Sequence, residues 1–506
     1  MIPVVWIAMG KVNNTFLPGL SKVDTTRNLH PSAPRGMNKK EQKKYRGFED
    51  FLKAKNKNSL LVAAEKKKKV ATQIRAAFFV DWDPQSLYSL QNHINELNTV
   101  LPEWFFIDPE ADTLKTDIDK DAYELMKKSG IRILPMLNNV DLNRLDGTFD
   151  PKILDATLND PVKREHLLND ISAKLKQYGL QGINIDFEEL NDKVKDAVHV
   201  FQKELYQRLH AEGMMVTQDV MADDDDFDLK ELSRSNDYIF LMAYDQHYSS
   251  SVPGPVSDQH WVEKELDEVA KGVPPGKIIL GMAGYGYDWP DKEMAATITY
   301  QEALSTAKEF KATIDFDNDS YNCTYQYTDY NKIHHTVHFM DAAGLYNIMR
   351  FADEYSTAGV ALWRLGAEDE RVWKFYNRDL SNEAIRKEPY DLSLLASLDI
   401  TTEKPDYIED GEVLDVVSEP EKGIIDLETD QNENLISEEN YKQLPTRYVI
   451  KRFGQVSKQV ILTFDDGPDP SYTPRILDIL KKDTVPAVFF IVGMNGEAYL
   501  PLLKRI

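Results

Sequence analysis

A single cysteine, Cys323, stands in 506 residues, so no internal disulfide can form and a disulfide-stapled scaffold is excluded. Long apolar runs are scarce as well. The opening MIPVVWIAMG stays apolar for only nine residues, too short to span a bilayer, and it has neither a preceding basic region nor a cleavage signature. Basic residues are outnumbered, with 60 Lys and Arg against 84 Asp and Glu and a net charge of -24. That balance repels phosphate backbones, and no basic groove alternates with aromatics, so nucleic acid is excluded as a partner and a neutral or cationic substrate is expected. Histidine is absent after His338, which limits metal chemistry in the last third of the chain.

What charge there is lies unevenly. Residues 1–75 hold 17 Lys and Arg against 5 acids, and the runs KKEQKK and EKKKK read as solvated. Residues 1–72 are therefore set apart as a basic tail, with the apolar start as the stub of a truncated membrane anchor. A chain of this length exceeds one ordinary core. The remainder divides into a folded region over 73–380, an acidic linker over 381–455 holding 18 acids against 5 bases in its first 65 residues, and a last segment over 456–506.

From residue 75 onward, short apolar runs alternate with helical periodicity. RAAFFVDWD, EWFFID, IRILPML, GINIDFE, MMVTQDV, DYIFLMAYD, KIILGMAGYGY and GVALWRLG read as eight strands within about 300 residues, the expected output of a (β/α)8 barrel. One connection breaks the rhythm. Between the seventh and eighth strands, TITYQEAL, YQYTDY and HTVHFMDA predict a small α+β insertion at about 290–342, placed to wall one side of a cleft.

Within LQGINIDFEEL, residues two apart share a strand face, so Asn184, Asp186 and Glu188 point one way while Ile183, Ile185 and Phe187 point the other. In a parallel barrel the apolar set meets the helices. The polar set then faces the interior at the C-terminal strand ends, where barrel active sites lie. Two neighbouring, partly desolvated carboxylates raise the affinity of one for a proton until it can serve as a general acid.

GINIDFE resembles the DGxDxDxE signature of glycoside hydrolase family 18, and MAYD, the Trp363 of VALWRLG and the insertion after strand seven agree with it. The first two acidic places of the signature hold Gln181 and Asn184, where many chitinases carry Asp. Asn at the second place, VDWDPQS and PGPVSDQHWV resemble the spore-cortex and peptidoglycan-lytic branch. The resemblance implies substrate-assisted, retaining hydrolysis of β-linked N-acetylglucosamine-containing glycans, either peptidoglycan or a chitin-like exopolysaccharide, without a cofactor. By position, Glu188 is implied as the acid, Asp186 as the group that holds the acetamido N–H, and Tyr244 as a third catalytic group. Asn184, Asp245, Trp363 and Trp82 are implied to bind substrate. The alternative is a barrel that binds glycan with weak or no turnover, supported by the two lost acids.

The last segment, QVILTFDDGPDPSYTPRILDIL followed by VPAVFFIVG, reads as strand, helix and strand. TFDDGP resembles the first motif of carbohydrate esterase family 4 polysaccharide deacetylases, which implies Asp465 as a general base and Asp466 as a ligand of a zinc-like divalent metal. The family's two metal-binding histidines have no counterpart here, so the deacetylase portion is expected to be incomplete and without metal in this chain. A barrel followed by such a segment resembles bacterial fusions that continue into a family 2 glycosyltransferase, which implies a membrane-anchored protein of the cell envelope, outside the cytoplasm.

Overall fold

The computed structural model describes residues 73–108, 113–141, 148–222, 226–399, 405–430, 434–455 and 460–506. The basic tail and its implied anchor lie outside the described residues. Among those described, no helix is long and apolar enough to cross a membrane. The chain divides into two units, one of Gly10–Thr401 with Glu421–Thr446 and the other formed chiefly by Thr402–Pro420 with Arg447–Ile506.

The first unit is a parallel barrel. Its first strand, Ile74–Phe79, pairs on one side with Thr99–Pro102 and on the other with the eighth, Gly359–Trp363. Around the ring follow Gly182–Asp186 as the fourth, Met215–Met221 as the fifth, Tyr238–Met242 as the sixth and Ile278–Ala283 as the seventh, each parallel to its neighbour. The second and third strands are each broken in two. Thr99–Pro102 pairs with Arg132–Ile133, and Phe105–Asp108 with Met136–Asn138, so the ring closes through these four short pieces. The run TVLP extends the second strand four residues upstream of where its aromatic half predicts it to begin.

Alternation along the strands sorts side chains as expected. Ile183, Ile185, Ile239, Leu241 and Leu280 join the layer between strands and helices. Ala76, Phe78, Met136, Phe240, Ile279 and Ala361 instead form a separate apolar plug inside the ring. Helix starts are fixed by aspartate caps followed by proline, as at Asp83–Pro84 and Asp160–Pro161, and Gly179 ends helix Pro161–Tyr178 in a left-handed conformation with φ 59°.

The insertion after the seventh strand begins at Tyr285 and contributes five antiparallel strands and the helix Tyr300–Glu309 to a second sheet. This sheet does not stop at the insertion. Its order runs Ala296–Thr299, Tyr285–Pro290, His334–Phe339, Asn322–Thr328, Asp315–Asp317, Leu435–Gln443, Gly423–Asp430 and Ser397–Leu398. Strands Gly423–Asp430 and Leu435–Gln443 thus form an antiparallel pair on the barrel unit, which differs from the expectation of an acidic linker over 381–455. The reason is a period-2 pattern hidden beneath the acidic composition. Gly423 and Ile425 are buried and Leu427 partly so, while Ile424, Asp426 and Glu428 between them are exposed; on the partner strand Leu435 and Ile436 are both buried beside a register shift.

The hairpin is held by polar anchors too. Asn347 on helix Ala342–Tyr355 donates to the Ile436 carbonyl at 2.8 Å and accepts its N–H at 3.0 Å. Beside it the buried Arg371 guanidinium meets Asp369 at 2.6 Å, Glu439 at 3.2 Å and Asp341 at 3.3 Å, and donates to the Tyr300 hydroxyl at 3.2 Å. Cys323, Asp341 and Glu439 bring ligand-type atoms within 4.8 Å of one another, but Arg371 already supplies the positive charge there.

The second unit holds a three-stranded sheet, Asp406–Ile408, Val449–Phe453 and Val413–Ser418, and a parallel pair, Leu462–Gly467 and Ala487–Ile491, joined through helix Thr473–Asp483. The strand, helix and strand of the last segment are as the sequence predicts.

Candidate active site

Strand Gly182–Asp186 is buried throughout, and the chain leaves it directly into Phe187 and Glu188 at the C-terminal end of the barrel. Asn139, just past the third strand, fixes that exit. Its Nδ2 donates to the Glu188 carbonyl at 3.0 Å, and its Oδ1 accepts the Glu188 N–H at 3.0 Å. The half-buried Glu188 side chain is thereby aimed back over Asp186, which is 4% exposed.

The two carboxyl groups are close neighbours. Burial raises the proton affinity of Glu188 well above the ordinary glutamate range, and the Asp186 charge adds to the effect. Burial likewise raises Asp186, followed by repulsion from Asp219 and Glu103. Two enclosed carboxyl groups, each with a raised affinity for a proton, therefore sit side by side.

Asn184 lies one turn of the pleat below. Its Oδ1 accepts from Thr217 Oγ1 at 2.6 Å, and its Nδ2 donates to Asp219 Oδ2 at 2.6 Å, so both ends of the amide are committed to the fifth strand. Gln181 is placed elsewhere. It is exposed at the foot of the same strand, where its Oε1 accepts the Ile133 N–H at 2.9 Å and its Nε2 donates to the Gly179 carbonyl at 3.0 Å.

Tyr244 and Asp245 follow the sixth strand. The Tyr244 ring lies over Gly281 of the seventh, where an added Cβ would stand 3.0 Å from Cε1. Burial, then the charges of Asp219, Asp186, Asp245 and Glu188, hold its phenol neutral. Asp245 adopts a left-handed backbone with φ 59° and receives hydrogen bonds from the Tyr285 and Tyr287 hydroxyls, the latter at 2.9 Å. Burial raises Asp245 while these two donors oppose the shift.

The aromatic candidates take different positions. Trp363, at the end of the eighth strand, is partly buried edge-on against Phe78 at 5.2 Å and closes the apolar plug from above. Trp82 is 53% exposed; its Nε1 donates to Glu103 at 3.0 Å and its ring is covered by Arg364 at 4.3 Å. Glu103 also accepts from Asn138 at 3.2 Å, so Trp82 is linked to the site through a half-buried acid.

Structure thus brings Asn184, Asp186, Glu188, Tyr244 and Asp245 together, with Trp363 beneath and Trp82 at the rim. Sequence reasoning missed Asp219, Glu103, Asn139, Tyr285 and Tyr287. Asp219 was accessible by the alternation argument, since it lies two residues past Thr217 on a barrel strand. Asp465 and Asp466 belong to the other unit. Both are exposed there, the segment has no histidine, and Asp466 is engaged only through its carbonyl, which accepts from Asn495 at 2.9 Å.

Residues 146–368 match the model of glycosyl hydrolases family 18, and residues 454–506 match that of polysaccharide deacetylase. The chain carries a domain of the first kind and a short segment of the second. A Bacillus subtilis protein named as a sporulation-specific glycosylase, YdhD, is 28% identical over 52% of this chain and 64% of its own length. The cortical fragment-lytic enzyme of the same organism is 26% identical over 44% of this chain and 56% of its own length. The chain spans less than two thirds of either relative. A chitinase from Chromobacterium violaceum has the same barrel fold, with a TM-score of 0.57 and 23% identity over 61% of this chain and 99% of its own.

Proposed function

We propose, from the glycosyl hydrolase family 18 domain that the chain carries, that this protein hydrolyses β-linked N-acetylglucosamine-containing glycans of the peptidoglycan or chitin type. The observation that carries the proposal is that Asn139 clamps the Glu188 backbone next to the buried Asp186 at the C-terminal end of a parallel barrel strand. Glu188 gives its proton to the glycosidic oxygen as the bond to the anomeric carbon breaks. The nucleophile is the substrate's own acetamido oxygen, which closes an oxazolinium ring. Asp186, freed of the Glu188 proton, accepts the acetamido N–H and balances the positive charge. Water then opens the ring, returning a proton to Glu188.

The other side chains serve this step. Tyr244, a neutral phenol, is placed to donate to the acetyl oxygen, Asp245 to bind a sugar hydroxyl, and Trp363 to offer an apolar floor. Several acids and few cations at the mouth suit a neutral sugar. The cortical fragment-lytic relative supports a place of action outside the cytoplasm, at the bacterial cell envelope. Membrane anchoring and a following glycosyltransferase belong to the same reading, on the resemblance of the domain order.

The test is hydrolysis of defined N-acetylglucosamine oligomers by the wild-type protein and by Glu188→Gln. The amide keeps the shape but has no proton to deliver, so turnover should fall by roughly 10² to 10⁴ with binding nearly intact. Since burial raises the Glu188 proton affinity, activity should persist above the ordinary glutamate range and decline only as pH rises through the shifted value. Undiminished turnover in Glu188→Gln would refute the assignment.

A further inference from the structure

Asp219 takes no part in the mechanism above, yet it is among the most enclosed acids of the barrel, at 2% exposure. Parallel register pairs Asn184 with Thr217 and Ile185 with Gln218, which places Asp186 and Asp219 level on adjacent strands, about 4.8 Å apart, on the same interior face. Asn184 fixes how Asp219 sits, because its amide hydrogen occupies Oδ2 while its own oxygen is held by Thr217. The remaining Oδ1 of Asp219 is buried, and so is Oδ1 of Asp186. Neither receives a hydrogen bond from any N–H or hydroxyl.

We propose that Asp219 is a positioning residue for Asp186, standing in from the neighbouring strand for the acid that the signature lacks at Asn184. This rests on the reading of Asp186 as the group that meets the acetamido N–H. Two enclosed carboxylates side by side, with donorless oxygens, are not both charged, and the pair holds one proton. In the free protein that proton is shared between them. When an acetamido N–H arrives as a donor, Asp186 must be the charged member, and the proton then resides on Asp219. Nothing is gained or lost: one proton and one negative charge exchange places within the pair. Asn184 remains a donor to Oδ2 in both states, which is why an amide rather than an acid suits its position.

The other titratable groups around the pair are Glu188 above Asp186, Tyr244 and Asp245 from the sixth strand, and Glu103 from the second. All are acids or phenols, so each favours keeping the shared proton. Removing the Asp219 charge alone changes the balance.

The test is Asp219→Asn, which retains an acceptor for Asn184 and changes charge without shape. The carboxyl 13C shift of Asp186, assigned with Asp186→Asn, is followed against pH in both proteins, independently of turnover. Its midpoint should fall by about one unit or more in Asp219→Asn, the size of a close like-charge effect. The acid limb of kcat/KM should move the same way, and Asn184→Asp combined with Asp219→Asn should return it toward the wild-type position. An unmoved Asp186 midpoint in a folded Asp219→Asn protein would overturn the proposal. A moved midpoint in a protein without turnover would uphold the pairing and refute the glycosidase reading instead.

Discussion

Replacing Arg371 with methionine should show that the 423–443 hairpin is structural to the barrel unit. The substitution keeps the stem that packs in the interior and removes the guanidinium. Asp369, Asp341 and Glu439, at 1%, 0% and 6% exposure, would then share a dry site without their cation. Breaking a buried ionic cluster by deleting one partner costs about 3–5 kcal/mol. At about 2.1 cal/mol/K of unfolding entropy per residue, a unit of more than 300 residues loses about 1–2 °C per kcal/mol, so melting should drop by roughly 4–7 °C. Glu439→Gln is the control. Burial, then the Asp341 charge, raise the proton affinity of Glu439 well above the ordinary range, and an amide mimics its protonated form. The sign follows from that shift. A raised folded-state proton affinity means that wild-type stability is fullest below the unfolded glutamate value and is lost as pH climbs toward the folded one. Glu439→Gln should therefore match wild type in acid and surpass it at neutral pH. Thermal unfolding of the three proteins at two pH values decides the matter. An Arg371→Met protein melting within about 2 °C of wild type would show that the cluster does not hold the hairpin.

Gln181→Ala should leave turnover within about twofold and cost about 1 kcal/mol, because Gln181 only ties the strand foot to Ile133 and Gly179; a tenfold loss of activity in steady-state assays would contradict this. Gly281→Ala should place a Cβ 2.8 Å from the Leu241 carbonyl oxygen and 3.0 Å from the Tyr244 ring. Displacing that ring should lower kcat on the order of 10- to 100-fold with a stability loss of about 1–3 kcal/mol, read by kinetics and melting together.

The parts of the fold legible in the sequence were those where one periodicity acts alone. GINIDFE alternates polar with apolar residues, IFLMA and GVALW are short continuous apolar runs, and each lies in the barrel with its apolar side chains in the helix layer or the plug. The hairpin is harder to read than the barrel strands because its acids dominate the composition while a few aliphatic side chains do the burying. Thr99–Pro102 was missed because four residues are too few to display a period. At the site, Asp186 and Glu188 could be read from spacing, whereas the clamp on Asn184 depends on Thr217 and Asp219 from a strand more than thirty residues away. The signature's first place looked like a lost acid. In three dimensions Gln181 lies at the opposite end of the strand, away from the chemistry.

In the proposed reaction the substrate supplies its own nucleophile while Glu188 supplies the proton. This is tested most directly by following the anomeric proton of the first-released product by NMR during hydrolysis of a β-linked N-acetylglucosamine oligomer. Two successive displacements at the same carbon predict the β anomer first, relaxing to the α/β mixture only by mutarotation. Initial release of the α anomer would mean direct attack by water, and would contradict the account.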